Sequence, residues 1–573
     1  MSTMRVCSLS LCALMLALGC KTSTSATTPD GVAAGPAAPT GNAETGAPMT
    51  LEELAAGAVL LDGLGDHRRP VTTRSTEAQA FFDQGLALLY GFNHDEAARS
   101  FARAAAIDPS CAMCSWGAAI TLGPNYNVPM LAERAGMAWE ALQAAVAHAP
   151  GTTPAEQALI DALTRRYAGP EPRDPAAMQP LTLAYAEAMR SVAQRFPADM
   201  DVQVLFAEAL MNQNPWKLWS LDGAPAPGTE EIVATLERVL ATSPDHPGAN
   251  HYYIHAVEAS RSPERALPAA KRLPGLMPGA GHMVHMPAHI FQRVGLYAEA
   301  STRNREAVAA DLAYMARVKP WGYYPMYLGH NYGFWAYSAA MEGRRAESLA
   351  AARASAKALP PEMLDMMPGM DFFTAEPLLA MVRFGEHDAL LAEPRPDPRH
   401  VVLTGLWLHA RGMALAAKAR LDEAAQAQRE LVQLAEAVGP ELTAGNNRAR
   451  DVLEVAARVL AARIAEREGH PETLAIWAEA VAMADELAYS EPADWFYPVR
   501  HYQGAALLQA GHYAAAEAVY RADLSHHPAN GWALFGLARA LKGQGKTRAA
   551  RQAEAEFTRA WARADITLTT TGL

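Results

Sequence analysis

Seven of the 18 histidines in this 573-residue chain fall between residues 246 and 330: His246, His251, His255, His282, His285, His289 and His330. His251 and His255 are four apart, and so are His285 and His289, so each pair shares one face of any helix that carries it. The two pairs are offset by 34 residues, and Glu258 follows His255 by three, on the same face. Neutral imidazole is the commonest protein metal ligand, and three or four N or O ligands are what zinc, copper or iron need. The pattern predicts a transition-metal site, zinc or copper, with His251, His255, His285 and His289 as ligands. Two other readings stay open: a polar groove that binds an acidic or aromatic ligand without metal, and packed helix histidines satisfied by hydrogen bonds. Pro287 lies between His285 and His289. It is tolerated in a first helical turn, whereas a break at Met286 would separate the pair.

Other residues offer less. Cys111 and Cys114 form a CxxC, but Ser115 follows where a c-type haem site needs His. No βαβ pattern surrounds the motif, which argues against a thioredoxin-like site. A disulfide, a thiolate metal pair and two free buried thiols remain. Met283 and Met286 flank the histidines, and Met363, Met366, Met367 and Met370 form a later group. Methionine beside histidine suits copper outside the cytoplasm, while gap-filling core methionine is the plainer account. There is no Gly-rich phosphate loop, no GxSxG elbow and no HExxH.

The elements that must position the histidines repeat. In the 34-residue window 78–111, Phe81, Gly85, Ala97, Phe101, Ala104 and Pro109 take positions 4, 8, 20, 24, 27 and 32. Window 497–530 repeats the phase with Gly504, Ala516, Tyr520 and Pro528. Windows 247–280 (Ala266, Ala270, Pro278), 281–314 (Ala300, Gly295) and 329–362 (Gly343) continue it, and 403–438 and 529–563 read as more degenerate helix pairs. This pattern resembles the tetratricopeptide repeat (TPR), over residues 76–564 with a poorer fit at 112–230 and 360–490. The resemblance implies an all-α fold, a superhelix of antiparallel helix pairs over residues 51–573, each packing on its neighbours around a concave surface. It also implies that positions 2, 5, 9, 12 and 13 of each first helix line the groove. His251 and His285 then sit at position 5, His255 and His289 at position 9, Glu258 at position 12, and His282 and His330 at position 2. Tyr252 and Tyr332 are candidate ligand-binding residues alongside His282 and His330. Inserts at 215–228 (Trp216, Trp219) and 315–328 (Trp321, Tyr323, Tyr324, Tyr327) are expected either to cover the groove or to pack on a neighbouring helix.

Wider phrases are similar to a group of exported bacterial TPR proteins: Asp108 to Gly117 with Gly123 to Asn127, Asn250 to Glu258, and Gly281 to His289. No activity carries over from that group. Export agrees with the start of the chain. Arg5 precedes an apolar stretch, Val6 to Leu18, and Leu16-Ala17-Leu18-Gly19-Cys20 resembles a lipobox, which implies a signal peptide over 1–19 and a lipid on Cys20. Of residues 21–50, 24 of 30 are Ala, Thr, Ser, Gly or Pro, a composition that reads as a flexible tether over 20–50. The expected location is the bacterial cell envelope, with membrane contact only through the lipid. A net charge of −12 with no long basic patch argues against nucleic acid as the main partner. The sequence thus reads as a TPR binding protein taking a protein or peptide segment, or a small ligand, in a His-rich groove. The alternative is a metal-dependent hydrolase or oxidoreductase with Glu258 as general base.

Overall fold

The computed structural model describes residues 50–320, 322–366 and 368–572. Cys20, the signal-peptide and tether segments up to residue 49, Trp321 and Met367 lie outside the described residues. Helices dominate. Among the described residues, strand pairing is confined to the two-residue ladder Thr443–Ala444 with Asn447–Arg448 and one bridge between Trp219 and Pro225. No helix is long and apolar enough to cross a membrane among the described residues.

The helix pairs follow the 34-residue phase because small and large residues interlock. Helices Thr76–Tyr90, His94–Ile107 and Ala112–Thr121 meet at Phe101. A Cβ at Gly85 would come to 2.8 Å from its ring, and one at Gly117 to 2.2 Å. Near the other end, helices Arg500–Gln509, Tyr513–His526 and Gly531–Gly543 meet at Tyr520 in the same way. There the added Cβ at Gly504 would stand 2.4 Å from the ring, and at Gly536 2.1 Å. Several turns between paired helices place a left-handed residue two places before the second helix. Gly295, Gly343, Gly511 and Gly545 supply it with φ of 79°, 70°, 76° and 72°. In the first clear pair that place belongs to Phe92, at φ 54°.

The histidine-bearing helices are Pro247–Glu258, Gly281–His285, Pro287–Arg293 and Tyr324–Met341. Pro287 does interrupt a helix, yet Met286 keeps right-handed helical angles (φ −49°, ψ −34°), so the two short segments run on in one course. His285 and His289 therefore stay on one face.

The chain departs from an open stack in which each pair touches only its neighbours. The Trp532 indole donates to the Ala340 carbonyl at 2.8 Å across 192 residues. Asp565 accepts the backbone N–H groups of Arg345 and Ala346 at 2.6 and 2.8 Å. The last helix pairs thus fold back onto the 329–362 pair. Two apolar cores result, one running from Leu54 to Phe334 and the other from Tyr297 to Leu568. A cavity of ≈ 870 Å³ draws its walls from both regions.

Candidate metal centre

Six of the sequence-predicted histidines converge, in two groups of three rather than as one site of four. His251, His255 and His282 form one cluster and His285, His289 and His330 the other, with the candidate ligand atoms of each within 4.8 Å of one another. The clusters adjoin: ring centroids of His255 and His289 are 5.7 Å apart, and those of His282 and His285 5.9 Å. His255, His282, His289 and His330 line the cavity, while His251 and His285 are fully buried and do not line it.

Hydrogen bonds aim the rings. His251 Nδ1 donates to the Tyr90 carbonyl at 2.6 Å, and His285 Nδ1 to Asn304 Oδ1 at 2.7 Å. His255 Nδ1 donates to Glu258 Oε1 at 2.9 Å, and His289 Nδ1 lies 2.5 Å from Glu258 Oε2. One carboxylate thus holds a ring of each cluster and turns both Nε2 atoms away from itself, as carboxylates behind metal-bound histidines do. Four ring nitrogens of the first cluster have no hydrogen-bond partner although buried: His251 Nε2, His255 Nε2 and both nitrogens of His282. In the second cluster His285 Nε2 and His289 Nε2 are 2.9 Å apart, a contact that needs a proton between them.

The charges agree with that network. Burial, reinforced by neighbouring histidines, holds His251, His282 and His285 well below the usual imidazole range. Burial also lowers His255 and takes His330 down to about 3. His289 is the exception. Burial opposes its charge, but Glu258 and Glu491 outweigh burial and push it up to about 9. His289 is the imidazolium that donates to His285. Burial raises Glu491 to about 7, against the pull of His289 at 3.1 Å.

Aromatic side chains enclose the rings. Phe92 lies 4.6 Å from His251 and 5.7 Å from His255, and Trp216 5.8 Å from His255 (centroid distances). Phe92 and Trp216 (φ 59°) both have positive φ, unusual for bulky residues and typical of functional sites when it occurs. Tyr327 packs at 4.7 Å on His282, and Phe334 at 4.5 Å on His289. Both inserts contribute walls: Trp216, Tyr323 and Tyr327 line the cavity, while Trp219 donates to the Ala256 carbonyl at 2.8 Å and Tyr324 to Asp311 at 2.6 Å.

Several predicted residues stand elsewhere. Tyr252 is core, stacked at 5.3 Å on Phe92, because the residue after His251 points to a neighbouring helix face. Tyr332 stacks on Trp335 at 6.1 Å, away from the cavity. Glu258 does not line the cavity: its Oε1 accepts from His255 Nδ1 and its Oε2 pairs with His289. Glu491, which sequence reasoning passed over, does line the cavity. Met283 and Met286 are core, whereas Met370 lines the cavity. Cys111 and Cys114 are joined by a disulfide, which removes them as a thiolate metal pair. His246 belongs to another group, in which Asp201 accepts from His67 and His246 at 2.8 and 3.2 Å.

No family model and no curated protein matches the chain. Among solved structures, a human IFIT1 dimer with m7Gppp-AAAA is similar over 78% of this chain and 90% of that one, at 12% identity and a TM-score of 0.34. The P58(IPK) TPR domain is similar over 82% and 99%, at 12% identity and 0.21, and the APC/C hetero-tetramer Cut9–Hcn1 over 81% and 90%, at 11% and 0.26. The chain's own consecutive helix pairs, in the 34-residue phase, give it a TPR-like α-solenoid fold. That fold brings together histidine groups that could hold a metal ion.

Proposed function

We propose that this protein is a cell-envelope binding protein that holds a transition metal, zinc or copper, at its histidine clusters and presents it to a small, largely apolar ligand in the adjoining cavity. The observation that carries this reading is the set of four buried, unpartnered ring nitrogens on His251, His255 and His282. A buried polar atom left unpaired costs about 1–3 kcal/mol, and a cation shared by the three rings would satisfy three of the four nitrogens, one from each ring. The rings fit: all six are imidazoles, five are held neutral by burial, and their Nδ1 anchors leave Nε2 free in His251 and His255. Imidazole donors suit zinc and copper over calcium or magnesium. The cavity of ≈ 870 Å³ has the size of a small-molecule site, which favours a small ligand over a peptide.

The test is thermal melting with zinc or copper added to metal-free protein at pH 7.5. A metal at a hundred times its dissociation constant stabilises the fold by about 2.7 kcal/mol, so the melting temperature should rise in wild type and not in a His251→Ala/His285→Ala variant. An unchanged wild-type melt, with no metal retained on dialysis, would overturn the proposal. The envelope location rests on Gly19-Cys20 and is tested by Cys20→Ser, which should move the protein from the detergent to the aqueous phase.

A second reading, a metal-dependent hydrolase or oxidoreductase, is favoured by one feature. Three protein ligands leave a metal position open, and the cavity that meets it also exposes the carboxyls of Glu491 and Glu376. Burial pushes Glu376 up to about 8, so it stays protonated at neutral pH and can donate. Turnover of an activated ester by the zinc form, or of a phenol with dioxygen by the copper form, lost in the double variant, would favour the enzyme.

A further inference from the structure

The repeat period generates the metal cluster twice. In window 247–280, His251 and His255 hold positions 5 and 9, and His282 is position 2 of the next window, 281–314. In window 281–314, His285 and His289 hold positions 5 and 9, and His330 is position 2 of window 329–362. Each cluster thus has the same recipe, two ligands from one first helix and one from the first helix that follows. The 14-residue insert at 315–328 separates the second and third windows in sequence without disturbing that recipe, since His330 still reaches His285 and His289 with centroids 4.8 and 5.8 Å away.

We infer, on the proposed metal-binding reading, that the protein holds a pair of transition-metal ions, one in each three-histidine cluster, side by side behind one wall of the cavity. Three observations support a pair over a single ion. First, the candidate nitrogens gather in threes, and three imidazoles with one open position form a complete metal site. Second, each cluster has one ring fixed from behind on a neutral oxygen, Tyr90 O for His251 and Asn304 Oδ1 for His285. Each cluster also has one ring fixed on Glu258, His255 in the first and His289 in the second, so the support is duplicated as well as the ligands. Third, His285 Nε2 and His289 Nε2 point at each other 2.9 Å apart, so an ion in the second cluster would take the place of the proton they share, with the two nitrogens moving apart to roughly 3.3 Å. Asn304 adds an independent mark. It occupies position 24 of its repeat, the place of Phe101 and Tyr520 in theirs, so a buried amide replaces the interlocking aromatic where a histidine must be anchored. In both clusters the two front rings line the cavity, so the open positions of the two ions face the same space, and a small oxygen-donor ligand there could touch both. Two further groups could hold an ion: Glu258, His289 and Glu491 share His289 with the second cluster and compete for the same ion, and His67, His246 and Asp201 are not a rival for it. Asp201 there already accepts from Tyr90 OH at 2.6 Å and Arg69 at 3.1 Å as well as from both rings.

The test counts ions on the full-length chain. Metal-free protein is dialysed to equilibrium against copper(II), and bound copper is measured by mass spectrometry of the digested sample, beside His282→Ala and His330→Ala. Wild type should hold two ions per chain and show the half-field electron paramagnetic resonance transition of two neighbouring copper(II) ions. Each variant should hold one ion and show an ordinary mononuclear spectrum, with circular dichroism confirming its fold. Wild type alone already decides if a variant does not fold. One ion per chain would overturn the pair and leave the metal-binding reading standing. Two ions without the half-field transition would overturn the adjacent pair. No copper retained, and none of zinc, would instead remove the metal-binding reading itself.

Discussion

Glu258 concentrates the site's geometry in one side chain. Fully buried, it stays charged because His289 and His255 outweigh the cost of burial and bring it down to about 2. One oxygen fixes the tautomer and direction of His255, and the other holds the charged ring of His289. Replacement by Gln keeps the shape but supplies only one acceptor and loses the charge that balances His289. Glu258→Gln is therefore expected to weaken zinc or copper binding by about 10–100-fold, the usual effect of losing a carboxylate behind a metal-bound histidine. Competition against a chelator of known affinity measures it, and an unchanged affinity would show that the rings are aimed by packing alone. Phe92 is the other decisive residue. Its turn asks for glycine, as Gly295, Gly343, Gly511 and Gly545 show at the matching place, and a left-handed phenylalanine is strained by roughly 1–3 kcal/mol. In exchange its ring lies against His251, His255 and His282, excluding water from three imidazoles.

At the scale of elements, the interlock of glycine with an aromatic ring sets how closely successive helices approach. Gly117 packs so tightly on Phe101, and Gly536 on Tyr520, that a methyl group at either place would overlap the ring at 2.2 and 2.1 Å. Gly117→Ala and Gly536→Ala should each lower stability by about 1–3 kcal/mol through overpacking, although alanine is the better helix former. A chemical denaturation series measures this, and a gain in stability would mean that the helices slide apart freely. These interlocks were legible in sequence, because Gly85, Phe101, Gly504 and Tyr520 keep a fixed period. The recurrence of His at positions 5 and 9 was legible too, and it pointed to His251, His255, His285 and His289 as one set of metal ligands, with His282 and His330 beside them as ligand-binding residues. The division into two threes was not legible: it depends on how far one first helix is rotated against the next. Asn304 could have been found as a polar residue in an aromatic slot. Glu491 could not, because it reaches His289 from a loop some 200 residues away, outside any local period. The closure of the last helix pairs onto the middle is of the same long-range kind. Tyr252 and Tyr332 stand off the cavity because helix phase turns them onto Phe92 and Trp335.

For the whole molecule, the histidines set the response to acid. Burial lowers His246, His251, His255, His282 and His285, takes His94 and His330 to about 3, and takes His409 and His501 to about 4. In the unfolded chain each returns to about 6.5. Below that pH the unfolded state binds more protons than the folded one, so stability rises with pH and falls on acidification, by up to about 1.4 kcal/mol per pH unit for each such ring. His289 runs the other way: raised to about 9, it stabilises the fold fully below pH 6.5, and that contribution is lost as pH rises through 9. The carboxyls that burial raises most, Glu376 to about 8, Asp311 and Glu491 to about 7 and Asp494 to about 6, run the same way as His289, and these five groups do not outnumber the nine lowered rings. Asp201 and Asp523, held well below the usual carboxylate range against the cost of burial by their histidine partners, add stability above about pH 4 that is lost only in stronger acid. The metal-free protein should therefore lose stability between pH 7 and pH 5. Thermal melts at pH 7.5, 6.5, 5.5 and 5.0 in a chelator check this. A melting temperature that stays level over that range would mean that the rings are charged or hydrated in the folded state. That outcome would also remove the reason for the neutral imidazoles to wait unpaired at the cavity wall. With zinc present the decline should be steeper still, because protons then compete with the ion for the same nitrogens.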